Sequence, residues 1–133
     1  MDILKEIIKS ITPFLKEKGY SKKGNSFHLK SDNNFGIINF QKSQDGNKDE
    51  VKFTINFGVY SDLLGKVVDF DYDNSKVPDV WSSQWHARIG HFMPDCHDFW
   101  WKIQAEDNLC EIISDIIDNI QNIILPEIDK RLT

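Results

Sequence analysis

The sequence predicts an α+β fold of two layers, a mainly antiparallel β-sheet with N- and C-terminal helices packed on one face. Three observations predict it. Residues 51–59 alternate without a fault: Val51, Phe53, Ile55, Phe57 and Val59 point one way, and Lys52, Thr54, Asn56 and Gly58 the other. Apolar residues recur at three- and four-residue steps at both ends of the chain. Connections in the first half are too short for βαβ crossovers, which makes neighbouring strands antiparallel.

Residues 2–16 read as an amphipathic helix, with Ile3, Leu4, Ile7, Ile8, Ile11, Phe14 and Leu15 inward and Lys5, Glu6, Lys9 and Lys16 in water. Pro13 is expected to kink that helix or start a second. Gly19 suits a C-cap, with Tyr20 packing back over the helix end. Lys22-Lys23-Gly24-Asn25 reads as a turn into a short strand that turns Phe27 and Leu29 inward and Ser26, His28 and Lys30 outward. After the turn Ser31-Asp32-Asn33-Asn34 comes a strand at 35–41. Its run Ile37-Ile38-Asn39-Phe40 is apolar on both faces, as in an interior strand. Asp45-Gly46-Asn47-Lys48 returns the chain into the alternating strand. Residues 61–68 suit a short helix and 70–76 a surface loop. Residues 85–92 read as a strand with Trp85, Ala87, Ile89 and His91 on one side and His86, Arg88, Gly90 and Phe92 on the other. Residues 99–103 form a further strand or packed loop. A helix at 106–124 closes the chain, with Leu109, Ile112, Ile113, Ile116, Ile117, Ile120, Ile123 and Ile124 as its stripe and Pro126 as its stop or bend.

At 133 residues the chain is expected to fold as one domain over 1–133. Its 40% hydrophobic and 28% charged content is globular usage and not that of a disordered segment. A net charge of −5 argues against a nucleic-acid binder that works by neutralising phosphates. The charge is uneven. Residues 1–30 hold seven lysines against Asp2, Glu6 and Glu17, a local +4, and residues 106–133 hold seven acids against Lys130 and Arg131, a local −5. Such asymmetry can steer a partner or let the terminal elements lie together. Cys96 and Cys110 are expected to be free, buried thiols of a reducing compartment. With neither a signal peptide nor a long apolar run to read, the cytoplasm is the expected location, without a membrane.

Familiar chemistry finds little foothold. His86, His91 and His97 with Asp95 and Cys96 invite a metal site, yet the spacing fits no metal pattern, and polar or interfacial histidines are expected instead. Asp69, Asp71 and Asp73 open like a calcium loop, but Asn74 stands where the turn needs Gly and Val80 where it needs Glu, so a solvated acidic loop is expected. There is no nucleophile elbow, Cys96 beside His97 is mere adjacency, and the glycines are scattered singly. No catalytic residue, metal ligand or cofactor is therefore assigned.

Two features point outward. Trp81, Trp85, Trp100 and Trp101 interleave with His86, Arg88 and Lys102, which can form a stacking surface, although most of these tryptophans are expected to close the core. Asn39, Gln41, Thr54, Asn56, His86 and Arg88 fall on the side of their strands away from the core. Arg88 is the one fixed positive fork among them and suits a carboxylate, a ligand's or that of a neighbour such as Asp95. A shallow polar groove is expected around Asn56, His86 and Arg88, with Trp85 or Trp101 as its apolar wall and Gly58 admitting close approach to the backbone.

An ordered set of segments carries a resemblance: Lys22-Lys23-Gly24-Asn25-Ser26-Phe27, Ile38-Asn39-Phe40-Gln41-Lys42-Ser43, Phe53-Thr54-Ile55-Asn56-Phe57-Gly58-Val59-Tyr60, Trp85-His86-Ala87-Arg88-Ile89-Gly90 and Trp100-Trp101. Over roughly residues 1–130 the chain resembles the bacterial family called domain of unknown function 4304. Residues 65–80 carry no matching signal. The resemblance implies a small single domain with a mixed helix and sheet core, and it brings no activity or cofactor. The family's recurrent polar positions are matched here by Asn39, Gln41, Lys42, Asn56 and Arg88, which coincide with the polar sheet face.

The expected function is a non-enzymatic binding or protein-interaction module that uses this face, with a protein partner or a small anionic ligand. The expected ligand-binding residues are Asn39, Gln41, Thr54, Asn56, Trp85, His86, Arg88 and Trp101. Two alternatives stand beside it. One is a small enzyme with His86 as general acid or base, Arg88 as anion clamp and Asp95 as orienting carboxylate. The other is an immunity-like protein that masks a basic partner with Asp107, Glu111, Asp115 and Asp118 of the last helix. Oligomeric state is not legible from the sequence.

Overall fold

Asp2 opens the first helix, its carboxylate accepting the backbone N–H of Lys5 at 3.1 Å, and α1 runs over Ile3–Glu17. The computed structural model describes residues 2–32, 34–44, 50–61, 78–94, 96–104 and 106–132. Pro13 lies inside α1 and does not start a second helix, one of the two outcomes expected of it. Pro13 and Lys9 are both exposed, so the carbonyl that loses its hydrogen bond lies on the wet side while the buried stripe holds the helix together. Gly19, at φ 97°, ends the helix as expected. Its N–H bonds the Lys16 carbonyl and that of Tyr20 the Leu15 carbonyl, both at 3.0 Å, and Tyr20 turns into the core.

Six strands follow: β1 (Ser21–Lys23), β2 (Ser26–Ser31), β3 (Asn34–Lys42), β4 (Glu50–Ser61), β5 (Trp85–Arg88) and β6 (Trp101–Gln104). They form one antiparallel sheet in the order β1-β2-β3-β4-β5, and β6 pairs with the start of β4. Of the turn expected at 22–25, Lys22 and Lys23 belong instead to a strand, and Gly24-Asn25 forms the two-residue hairpin, with Gly24, at φ 60°, supplying its positive φ. Strand β5 is shorter than expected. After Arg88 the chain tightens into a 3-10 turn over Ile89–Phe92, because Gly90 packs directly against the backbone of residues 97–99.

The C-terminal helix starts later than expected. Asn108 caps α2 (Leu109–Asn119) by accepting the N–H groups of Cys110 and Glu111, a π-helical turn follows over Ile120–Ile124, and α3 spans Leu125–Leu132. Pro126 explains the wide turn: it has no N–H to give and its ring crowds the carbonyl four residues earlier, so the backbone widens to continue. The helices lie on one face of the sheet. There Ile7, Ile8, Ile11, Leu15, Ile116, Ile120, Ile124 and Ile128 pack on Phe27, Ile38, Phe40, Phe53, Ile55 and Phe57. On the opposite face a small cluster of Ile37, Tyr60 and Val80 accounts for the double-sided apolar run of β3.

Cys96 and Cys110 are free, as expected, but exposed and not buried. Among the described residues no helix is long and apolar enough to cross a membrane. The expected return at 45–48, the helix at 61–68 beyond Ser61, the loop at 70–76 with its acidic residues, and Asp95 lie outside the described residues.

Candidate binding site on the polar sheet face

Strand register builds the site. Across four strands Ser26 pairs with Asn39, Asn39 with Asn56 and Asn56 with Arg88, so four polar side chains stand in one row. Adjacent strands are about 4.8 Å apart, a step that short amides bridge. Arg88 Nε donates to Asn56 Oδ1 at 3.2 Å, Asn56 Nδ2 to Asn39 Oδ1 at 3.4 Å and Asn39 Nδ2 to Ser26 Oγ at 2.9 Å. Gln41 closes the row diagonally, its Oε1 accepting from Asn56 Nδ2 at 2.8 Å and from Arg88 Nη2 at 3.3 Å.

Asn39, Gln41, Thr54, Asn56, His86 and Arg88 therefore share one face, but in two layers. Thr54 is 0% and Asn56 3% exposed. The Arg88 side chain reaches from β5 to Gln41 on β3 and roofs Asn56, while Thr54 Oγ1 donates to the Phe99 carbonyl at 2.6 Å. The groove expected around Asn56 is thus filled by the protein's own groups. Gly58 likewise admits β5, not a ligand: a Cβ there would stand 2.6 Å from the Trp85 carbonyl oxygen and 2.9 Å from His86 Cβ.

The outer layer meets water. Arg88 is 27% and Asp98 52% exposed in their side chains, and Arg88 Nη1 donates to both carboxylate oxygens of Asp98, at 3.1 and 3.0 Å. Trp100 lies with its ring 5.0 Å from the guanidinium carbon and 5.5 Å from Lys52 Nζ, and its Nε1 donates to Asp98 Oδ2 at 2.9 Å. That indole bond first, then Arg88, holds the Asp98 carboxyl below its ordinary pKa despite some burial. Along β5, exposed His86 meets Trp81 edge-on at 6.0 Å, and Trp81 is itself 53% exposed. Among the described residues His86 takes no hydrogen bond, and Asp98 turns to Arg88.

Trp85 and Trp101 do not wall this face. Their strand positions pair with Val59 and Phe53, which puts both indoles on the helix side. Trp101 stacks on Phe53 at 5.4 Å and donates to Asp115 at 3.1 Å; Trp85 meets Phe57 edge-on at 5.6 Å. The aromatics of the polar face are the other two tryptophans, Trp81 and Trp100. Asp98 and Trp100 were missed as site residues, although alternation back from buried Trp101 turns Trp100 to the far face.

The sequence profile of the family described as domain of unknown function (DUF4304) matches residues 11–130, so the chain belongs to that family. No curated protein and no solved structure shows a significant match.

Proposed function

We propose that this member of the DUF4304 family is a non-enzymatic binding module. It folds as a single domain and recognises a carboxylate, on a protein partner or a small anionic ligand, through the outer layer of its polar sheet face. One observation carries the reading. Arg88 is fixed from beneath by Asn56 and Gln41 and flanked by Trp100, with His86 next along β5 and exposed Trp81 against the His86 ring. A guanidinium held in place loses little freedom on binding, and Arg and Trp are enriched among the few residues that carry most of the binding energy at protein interfaces. Asp98 occupies the anion position in the free protein and, half exposed, can be displaced by a competing carboxylate. Asn39, Asn56 and Thr54 then act as the rigid support and not as contacts. Free, exposed Cys96 and Cys110 accord with a reducing bacterial cytoplasm.

The experiment is a thermal-shift screen of acidic metabolites and carboxylate-rich peptides against the parent, Trp81→Ala and Arg88→Lys. A ligand of this face raises the melting temperature of the parent and loses that effect in both variants. Binding indifferent to both substitutions, or no ligand together with no salt-sensitive stoichiometric partner in native pull-downs, would refute the proposal.

A further inference from the structure

On α1, Lys5, Lys9, Thr12 and Lys16 stand at i, i+4, i+7 and i+11 and so form one stripe. That stripe borders a cleft of about 870 Å³ between α1 and the β1–β2 hairpin. Lys22, Gly24 and Asn25 of the hairpin and Lys42 at the end of β3 form the other wall, and Leu4, Ile8 and Pro13 contribute apolar surface. Five lysines thus meet one acid, Asp2, whose carboxylate already caps α1. Among the described residues none of the five ammonium groups has an ion pair.

The cleft suits carboxylates on a rigid support. It has no aromatic lining on which nucleic-acid bases could stack, and no arginine fork for a phosphate. The same chain carries the complementary element. Glu111 and Asp118 stand at i and i+7 on the exposed side of α2, away from buried Ile116, while exposed Asp115 between them accepts from Trp101 Nε1. Glu111 and Asp118 are seven residues apart, as are Lys9 and Lys16, a shared span of about 10.5 Å along the helix axis. Glu111 and Asp118 have no ion pair among the described residues either. We propose that the acidic face of α2 from a second copy of this chain seats in the lysine cleft, making the protein a self-associating module. Since α1 and α2 are neighbours in the helical layer, two copies can exchange the contact reciprocally and close as a dimer.

The test is sedimentation of the intact chain over a range of concentration at low and high salt. The parent is expected to associate at low salt and to dissociate at high salt. Lys9→Glu with Lys16→Glu, and separately Glu111→Lys with Asp118→Lys, should each abolish the dimer. The chain carrying all four substitutions should regain it. All six side chains named on the two stripes with charge are exposed, and circular dichroism verifies that each variant folds. A parent that stays monomeric, association indifferent to either reversal, or a fourfold variant that stays monomeric overturns the proposal. So does a monomeric parent that instead pellets with phosphatidylglycerol vesicles through Lys9 and Lys16, which would assign the cleft to an anionic lipid surface.

Discussion

The guanidinium of Arg131 lies over the indole of Trp85, 3.7 Å from the ring centroid, and ties the last turn of α3 to β5. Glu127 fixes the approach from behind, its carbonyl accepting from Arg131 Nη1 at 2.8 Å and its carboxylate from the same nitrogen at 2.6 Å. Trp85 thus serves as a clasp for the C-terminal helix and not as a wall of the polar face. Arg131→Ala is expected to lower stability by about 1–2 kcal/mol through lost cation–π contact and stem packing. A urea double-mutant cycle with Trp85→Leu should return a coupling energy of about 0.5–1 kcal/mol. Strict additivity would show that the stacking contributes nothing.

The two layers meet at Ile55 and Ile116, both fully buried. Ile55→Asp and Ile116→Asp each place a carboxylate in that apolar seam without a partner, which exceeds the tolerance of a domain this size. Both variants should be unfolded at ordinary temperature by near-UV circular dichroism. A cooperative, parent-like melt from either would contradict the assigned core.

The hydroxyl of buried Tyr20 finds no hydrogen-bond partner among the described residues. Tyr20→Phe should therefore raise stability at neutral pH by about 1 kcal/mol, since an unpaired buried hydroxyl is a net cost. Burial, and then the negative charge of Asp129, push the Tyr20 pKa far above its ordinary value. The unfolded chain then ionises first as pH rises past about 10 and binds fewer protons than the folded one. Stability present below that pH is lost progressively toward the raised folded value. Urea melts at neutral and alkaline pH should show a steeper alkaline loss in the parent than in Tyr20→Phe, and parallel losses would mean that the hydroxyl is solvated.

The face of each site residue was legible because a strand alternates strictly: Asn39, Gln41, Thr54, Asn56, His86 and Arg88 follow from the frame set by Phe53, Ile55 and Phe57. The two depths of that face were not. Burial of Asn56 depends on Arg88 folding across two strands, and burial of Thr54 depends on residues 98–100 crossing over it, neither of which periodicity encodes. Asp98, which pairs with Arg88, was not legible as its partner, because nearness in sequence says nothing about where a chain returns after a 3-10 turn. The π-helical turn escaped for a related reason. Pro126 signals a stop or a bend, and whether the backbone ends or widens depends on Ile120, Ile124 and Ile128 having a core to reach.

Asn56 and Arg88 should differ in the kind of loss they cause. Asn56 is buried, and its amide joins Asn39, Gln41 and Arg88. Asn56→Ala strands those partners beneath the surface and should lower stability by about 1–3 kcal/mol. Had Arg88 been locked to a buried carboxylate, its removal would cost about 3–5 kcal/mol. Its partner Asp98 is instead half exposed and regains water when released. Arg88→Ala should therefore cost less than Asn56→Ala, about 1–2 kcal/mol, mainly from the acceptors left on Asn56 and Gln41. Urea denaturation of the two variants beside the parent decides the order. A larger loss at Arg88 would make the guanidinium the keystone of the network and remove it from the surface available to a ligand.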